Sequence, residues 1–300
     1  MKHTFFYMMM AAALTACGHR ASTGNGADAD SVNIDSTDVA MAIALQTDSI
    51  GMERVDSTAE VRVSVDWPVD GNEELVASVR RYILGDLGIK NVQNASDGKQ
   101  LLNRFGQEQY KELHDMWIDA REEGYGGDMT YSLYRRIWKY EETATYVTYM
   151  SNGEGFTGGA HGWAMSTGMT FSKIDGQAVG YQQVYDEKHE TWHVKNQRLF
   201  KDTKSARFCA LLKEGLRSYF DSFEEGTKTS DAELQDQLQG TEIDNLPLPQ
   251  YPPYFTKDGL LFGYQQYEIT CYALGMPSFV ISYDKILSFL TDEAKALVSE

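Results

Sequence analysis

Between two runs in which polar and apolar residues alternate, the chain places Gly153-Glu154-Gly155-Phe156-Thr157-Gly158-Gly159-Ala160-His161-Gly162-Trp163, five glycines in eleven residues. Glycine has no Cβ and enters left-handed backbone conformations freely. A cluster this dense marks a sharp turn, or a backbone that passes close to something else. The flanks decide between strand and helix. Met129 to Val179 reads with period two and is rich in Tyr, Thr, Val and Trp, as strands with one buried face do. Strands are expected at about 130–140, 142–151, 163–173 and 177–184, with the glycines joining the second and third. Asp175-Gly176 is a two-residue hairpin signal between the last two. Short turns between alternating strands require antiparallel pairing.

The period changes on either side. Val61, Val63, Val65 and Trp67 alternate with polar residues up to Pro68, a half-buried strand. Asn72 is a suitable N-cap, with Glu73 and Glu74 in the first turn of a helix. Leu75, Val76, Val79, Ile83, Leu84 and Leu87 form its apolar face, and Gly88 ends it. A second helix, Lys99 to Glu123, places Leu102, Phe105, Leu113, Met116, Trp117 and Ala120 on one side before Gly124. Downstream, Thr191 to Phe223 reads as helical, Glu224 to Gly240 as polar and loose, and the proline-rich run from Leu246 as extended. Strands at Tyr254–Thr256, Leu260 to about Ile269 and Ser278–Ser282, then a helix at Tyr283–Leu290, complete the chain. The expected fold class is α+β, antiparallel β-sheets with helices packed on one face.

The N-terminal end speaks to location. A short apolar run from Phe5 to Leu14 ends in Leu14-Thr15-Ala16-Cys17, which resembles a bacterial lipobox. The resemblance implies a lipoprotein signal peptide over residues 1–16 and lipid on Cys17, so the partner is a membrane reached through that lipid, not through a spanning helix. Residues 17–56 are dominated by Ala, Ser, Thr, Gly, Asn and Asp, and read as a flexible tether. Asp-Ser triplets at Ser31, Ser36, Ser49 and Ser57 resemble an O-glycosylation signal of some Gram-negative envelopes. A formal net charge of −17 argues against nucleic acid or anionic lipid headgroups and favours basic partners. Cys209 and Cys271 are expected as buried free thiols, although an oxidising periplasm permits a disulfide.

Few residues carry chemistry. His161 sits where glycines shape the backbone; as a general base it needs an orienting carboxylate, and Glu154 is the nearest in sequence. The alternative is a histidine that hydrogen-bonds backbone beneath the turn. His189-Glu190-Thr191-Trp192-His193 fits H-E-x-x-H, which on a helix aims two histidines at zinc, with Glu190 as base. Its charged flanks and missing third ligand speak against that, so no metal or other cofactor is expected. Tyr264, Tyr267 and Tyr272, with Trp163, are candidate contacts for a glycan or protein.

Two stretches resemble known families. Tyr254-Phe-Thr-Lys-Asp-Gly-Leu-Leu-Phe-Gly-Tyr-Gln-Gln-Tyr-Glu-Ile-Thr-Cys-Tyr-Ala-Leu-Gly, followed by Val280-Ile-Ser-Tyr-Asp-Lys-Ile, looks like the domain of unknown function 3298 family. Phe156-Thr-Gly-Gly-Ala-His161 resembles the Tyr-Thr-Gly-Gly-Ala-His signature of its 4163-type partner domain, with Phe in place of Tyr. Together the two cover about residues 60–290. The resemblance implies a 4163-like domain at 57–185 and a 3298-like domain at 186–300. It also implies a place outside the cytoplasmic membrane, facing the periplasm or cell surface. The pair occurs in RsiV-like anti-sigma factor ectodomains, which recognise lysozyme, and before the catalytic domain of PdaC-like peptidoglycan deacetylases. With no spanning helix and no appended deacetylase domain read in this chain, two functions stay open. One is an envelope-anchored module that binds or senses a cell-wall glycan or a basic protein such as lysozyme. The other is a metal- or His-dependent hydrolase of envelope glycan or peptide.

Overall fold

The computed structural model describes residues 43–90, 96–125, 129–186, 188, 191–224, 226 and 228–299. The leader, Cys17 and the serine-rich stretch as far as Ala42 lie outside the described residues, as do His189 and Glu190.

β1 (Gln46–Val55) and β2 (Ala59–Asp70) form a hairpin, followed by α1 (Glu73–Asp86) and α2 (Gly98–Glu122). β3 (Tyr131–Glu142), β4 (Tyr146–Phe156), β5 (Trp163–Ser172) and the short β6 (Ala178–Val179) complete a six-stranded sheet in chain order. The fold is α+β with mostly antiparallel sheets. One pair departs from expectation: β2 and β3 run parallel. The two intervening helices are the crossover that a parallel pair requires.

Alternation in β2 turns Val61, Val63, Val65 and Trp67 into a core with Leu75, Val79 and Ile83 of α1 and Leu101, Leu102 and Leu113 of α2. Asn72 caps α1 as expected, its side chain accepting from the Leu75 N–H at 3.1 Å. Asp175-Gly176 is not a two-residue turn. Ser172 N–H donates to Gln177 O, and Gly176 sits at φ 71° inside a longer loop.

β1 is a correction. It occupies ten residues of the stretch whose composition reads as tether. Two features order it. Ile50 and Met52 alternate onto α2, where Gly106 lacks the Cβ that would lie 2.1 Å from Met52 Sδ. At its start, Leu45 is buried, and its N–H donates to Glu142 Oε1 at 2.8 Å.

The C-terminal half begins with a hairpin, β7 (Gln182–Asp186) and β8 (Thr191–Lys195). Helix was expected from Thr191. The β-branched and aromatic residues of Thr191-Trp192-His193-Val194 suit a strand better, and the helix, α3 (Ala206–Asp221), starts only at its cap Ser205. Inside the polar stretch expected to be loose, α4 (Asp231–Gln237) forms behind a full capping box of Ser230 and Glu233. β9 (Tyr254–Thr256), β10 (Gly259–Gly263) and β11 (Ser278–Ile281) make a second sheet, in the order β11-β10-β9. Two short helices, α5 (Tyr283–Ile286) and α6 (Asp292–Ala296), follow. Phe200, Phe208, Phe262, Phe279 and Phe289 interlock edge to face and stacked in this second core. Cys209 and Cys271 are free thiols, half-buried rather than fully buried.

The two halves join on the sheet face opposite α1 and α2. Phe255 N–H donates to Thr170 Oγ1, and Thr148 Oγ1 donates to Phe255 O, both at 2.9 Å. Thr148 and Thr170 are 2.9 Å apart and fully buried. With the Thr148 proton on Phe255, Thr170 donates to Thr148. The ring of bonds closes with no buried polar atom of these threonines left over. No helix among the described residues is long and apolar enough to cross a membrane.

Candidate functional site: an aromatic cleft beside the glycine hairpin

The glycines do what their density implied. β4 and β5 pair as far as Gly155↔Trp163, and residues 156–162 close the hairpin. Gly158 and Gly159 take φ 91° and 86°, where a Cβ is unfavourable. Gly155 and Gly162 are needed for space instead: a Cβ there would lie 2.6 Å from Ser132 O and 2.5 Å from Gly155 O. Trp163 lies against Gly155, its indole nitrogen 2.8 Å from the same missing Cβ.

His161 leaves this hairpin toward the C-terminal half. Its ring stacks on Tyr272, with centroids 3.9 Å apart and planes at 24°. Nδ1 is 2.8 Å from Gly162 O, and Tyr272 Oη donates to the same carbonyl at 3.1 Å. A carbonyl only accepts, so Nδ1 carries the proton. Nε2 then accepts from Tyr267 Oη at 3.3 Å. Thus the structure brings together His161, Tyr267, Tyr272 and Trp163 from segments about a hundred residues apart in the chain.

Tyr267 stands at φ 62°, a left-handed position uncommon for a bulky residue. Its neighbours hold it there. Glu268 accepts from Gln265 N–H at 2.7 Å and Gln250 N–H at 2.6 Å. The Gln265 side chain pairs with the outer edge of β5, accepting from Ser166 N–H at 3.2 Å and donating to Ser166 O at 2.8 Å. Gln266 Oε1 accepts from Ala164 N–H at 3.0 Å. Two glutamines therefore serve as a substitute strand, and β10, expected to run to Ile269, stops at Gly263. Burial raises the Glu268 pKa, and its two backbone donors only partly oppose this.

That shift has a measurable consequence. A carboxyl that holds its proton more firmly folded than unfolded stabilises the fold fully below the unfolded value of about 4.3, and the contribution is lost as pH rises through the folded value. Carbon-detected NMR titration is expected to place Glu268 above the exposed glutamates. A midpoint at or below theirs contradicts the burial.

A cleft of about 340 Å3 opens here, lined by His161, Trp163, Met165, Gln250, Tyr251 and Tyr267 among others. Three of its rings face solvent: Trp163 at 38%, Tyr251 at 39% and Tyr267 at 58% exposure. Behind Met165 lies a buried ion pair. Arg135 of β3 bonds Asp86 at the end of α1, Ser151 Oγ donates to Asp86 at 2.8 Å, and the guanidinium is 3.1 Å from Met165 Sδ.

Other expectations fare differently. Tyr264 was expected on the binding surface, yet it is fully buried, and its hydroxyl donates to Pro247 O at 2.8 Å. It is a core residue. Glu154 does not orient His161: it stands in β4 opposite Tyr134 and Ala164, and both ring nitrogens of His161 meet other groups. His193 lies in a strand, so the helical premise of paired zinc ligands fails from Thr191 onward. Among the described residues, no three His, Cys, Asp or Glu side chains converge as a metal site. Gln250, Gln265, Gln266 and Glu268 were not anticipated. The consecutive Gln265-Gln266 in an otherwise apolar-aromatic run was the one available signal.

Residues 197–284 match the family described as "Protein of unknown function (DUF3298)" and form a DUF3298 domain. The fold is shared with the crystal structure of a DUF3298 family member from Bacteroides fragilis NCTC 9343, at TM-score 0.58 and 19% identity over 84% of this chain and 96% of that one. A DUF3298 family protein from Pseudomonas aeruginosa PAO1 matches at TM-score 0.50 and 15% identity over the same shares of the two chains. No curated protein matches the chain.

Proposed function

We propose that this DUF3298-containing chain is a binding module of the bacterial cell envelope, anchored by lipid on Cys17, that takes a cell-wall glycan in the cleft beside His161. One observation carries the reading: three solvent-facing rings, Trp163, Tyr251 and Tyr267, surround a cleft that is also lined by the exposed Gln250 with its amide. Flat rings stack on the apolar faces of sugars while amides meet hydroxyl and acetamido groups, and the rings lose little conformational freedom on binding. The lipobox at Leu14–Cys17 and the 4163-like signature at Phe156–His161 support the extracytoplasmic place. The net charge of −17 supports a second reading, a basic protein such as lysozyme as the ligand.

Titration calorimetry with soluble peptidoglycan fragments tests the first reading. Trp163→Ala and Tyr267→Ala are each expected to weaken binding at least tenfold, about 1.4 kcal/mol, with melting temperatures near the parent's. Unaltered affinity in both variants removes the cleft from the function. Affinity for lysozyme but not for the glycan selects the second reading.

A further inference from the structure

The small sheet ends in an open edge. Among the described residues, β11 pairs with β10 on one side and with no strand on the other. Its register shows which backbone groups face outward. Tyr264 N–H donates to Pro277 O at 2.9 Å, next to the opposed pairs Gly263↔Ser278, Phe262↔Phe279, Leu261↔Val280 and Leu260↔Ile281. Hydrogen-bonded and open pairs alternate along an antiparallel ladder. Phe279 and Ile281 therefore bond inward to β10, while the N–H and C=O of Ser278 and Val280 point away from the sheet. The same alternation turns the backbone of Leu261 toward its β9 partner Tyr254.

α3 packs against this strand. Gly215 makes the approach close, since a Cβ there would fall 2.0 Å from the Phe279 ring. Phe279 and Ile281 are buried, whereas Ser278 is exposed and Val280 is 45% exposed. Between helix and edge lies a groove of about 410 Å3, with Leu211, Ser218 and Tyr219 on the helix side and β11 on the other. An open strand edge presents donors and acceptors at a two-residue repeat of about 6.8 Å, which another extended backbone matches.

We propose that the α3–β11 groove takes an extended basic peptide segment of a partner protein, added to the sheet as a fourth strand. The backbone edge selects the extended conformation. Charge selects the sign: Glu214 and Lys285 in the groove pair with each other at 2.7 Å, which leaves the field of a chain at −17 to favour a cation. The groove shares no residue with the cleft at His161, so the proposal stands apart from the glycan reading.

The probe is a fluorescein-labelled ten-residue peptide of alternating lysine and valine, followed by fluorescence anisotropy on the purified chain. A second peptide with proline in place of every valine keeps the charge but lacks the N–H groups of a strand and cannot join a ladder. Binding of the first peptide, and at least tenfold weaker binding of the second, is expected. Val280→Pro removes one outward N–H and no ladder bond, a substitution that edge strands accept. It is expected to weaken binding at least tenfold with an unchanged thermal melt. Ser218→Trp, which fills the groove from the helix side, gives the same loss and decides the matter should Val280→Pro fail to fold. Equal binding of the two peptides, parent-like binding by Ser218→Trp, or no binding by the parent at millimolar peptide overturns the proposal.

Discussion

Asp86→Ala is expected to lower stability by about 3–5 kcal/mol, because it strands a buried guanidinium. Arg135 and Asp86 expose only 10% and 6% of their side chains, so water cannot replace the lost partner. The pair ties the end of α1 to β3, and through Ser151 and Met165 to β4 and β5. Urea denaturation measures the loss. The double variant Asp86→Leu/Arg135→Met is expected to recover most of it, since removing both charges also removes their desolvation cost. A single variant that costs under about 1 kcal/mol means the pair is hydrated, and Met165 then has no rigid support behind the cleft.

The glycines of the hairpin should separate by mechanism. At Gly159 the obstacle to a side chain is its φ of 86°, since nothing among the described residues lies within 4 Å of an added Cβ; Gly159→Ala is expected to cost about 1 kcal/mol. Gly158 combines φ 91° with Tyr131 Oη at 2.8 Å, and Gly155 meets the Ser132 carbonyl at 2.6 Å, inside the β3–β4 ladder that cannot easily retreat. Gly158→Ala and Gly155→Ala are each expected to cost about 1–3 kcal/mol. His161→Ala loses a stacked ring and two exposed hydrogen bonds, a stability change of about 1 kcal/mol, but removes one wall of the cleft. Calorimetric melting of the four variants gives the order. Should Gly155→Ala and Gly158→Ala melt like the parent, the hairpin does not depend on its glycines, and the geometry at His161 has another source.

Local signals were legible wherever one physical cause dominated. The alternation of Val61, Val63, Val65 and Trp67, the Asn72 cap and the positive φ of the Gly158-Gly159 pair each follow from a few neighbouring residues. The signal failed where distant contacts outweighed local preference. β1 has only Ile50 and Met52 to show for its buried side, and a polar composition around them; Glu142, 97 residues from Leu45, anchors its start. The run from Leu260 reads as one long strand because nothing nearby announces that Gln265 and Gln266 will pair with β5 instead.

The cleft divides the same way. By itself the sequence determined that a glycine turn must present His161 and Trp163 between two strands, because only glycine tolerates that backbone. It determined too that tyrosines would gather near the C-terminal end. Which tyrosines face outward was decided only by the tertiary structure. Tyr264 enters the second core, where Pro247 offers its carbonyl, while Tyr267 is turned out at positive φ by the hydrogen bonds of Glu268 and the glutamines. Period-two spacing cannot distinguish those fates once the strand has ended at Gly263. The meeting of His161 with Tyr267 and Tyr272 depends on docking one half of the chain against the other. The Thr148–Thr170–Phe255 bonds that hold this docking join residues with no periodic relation in sequence.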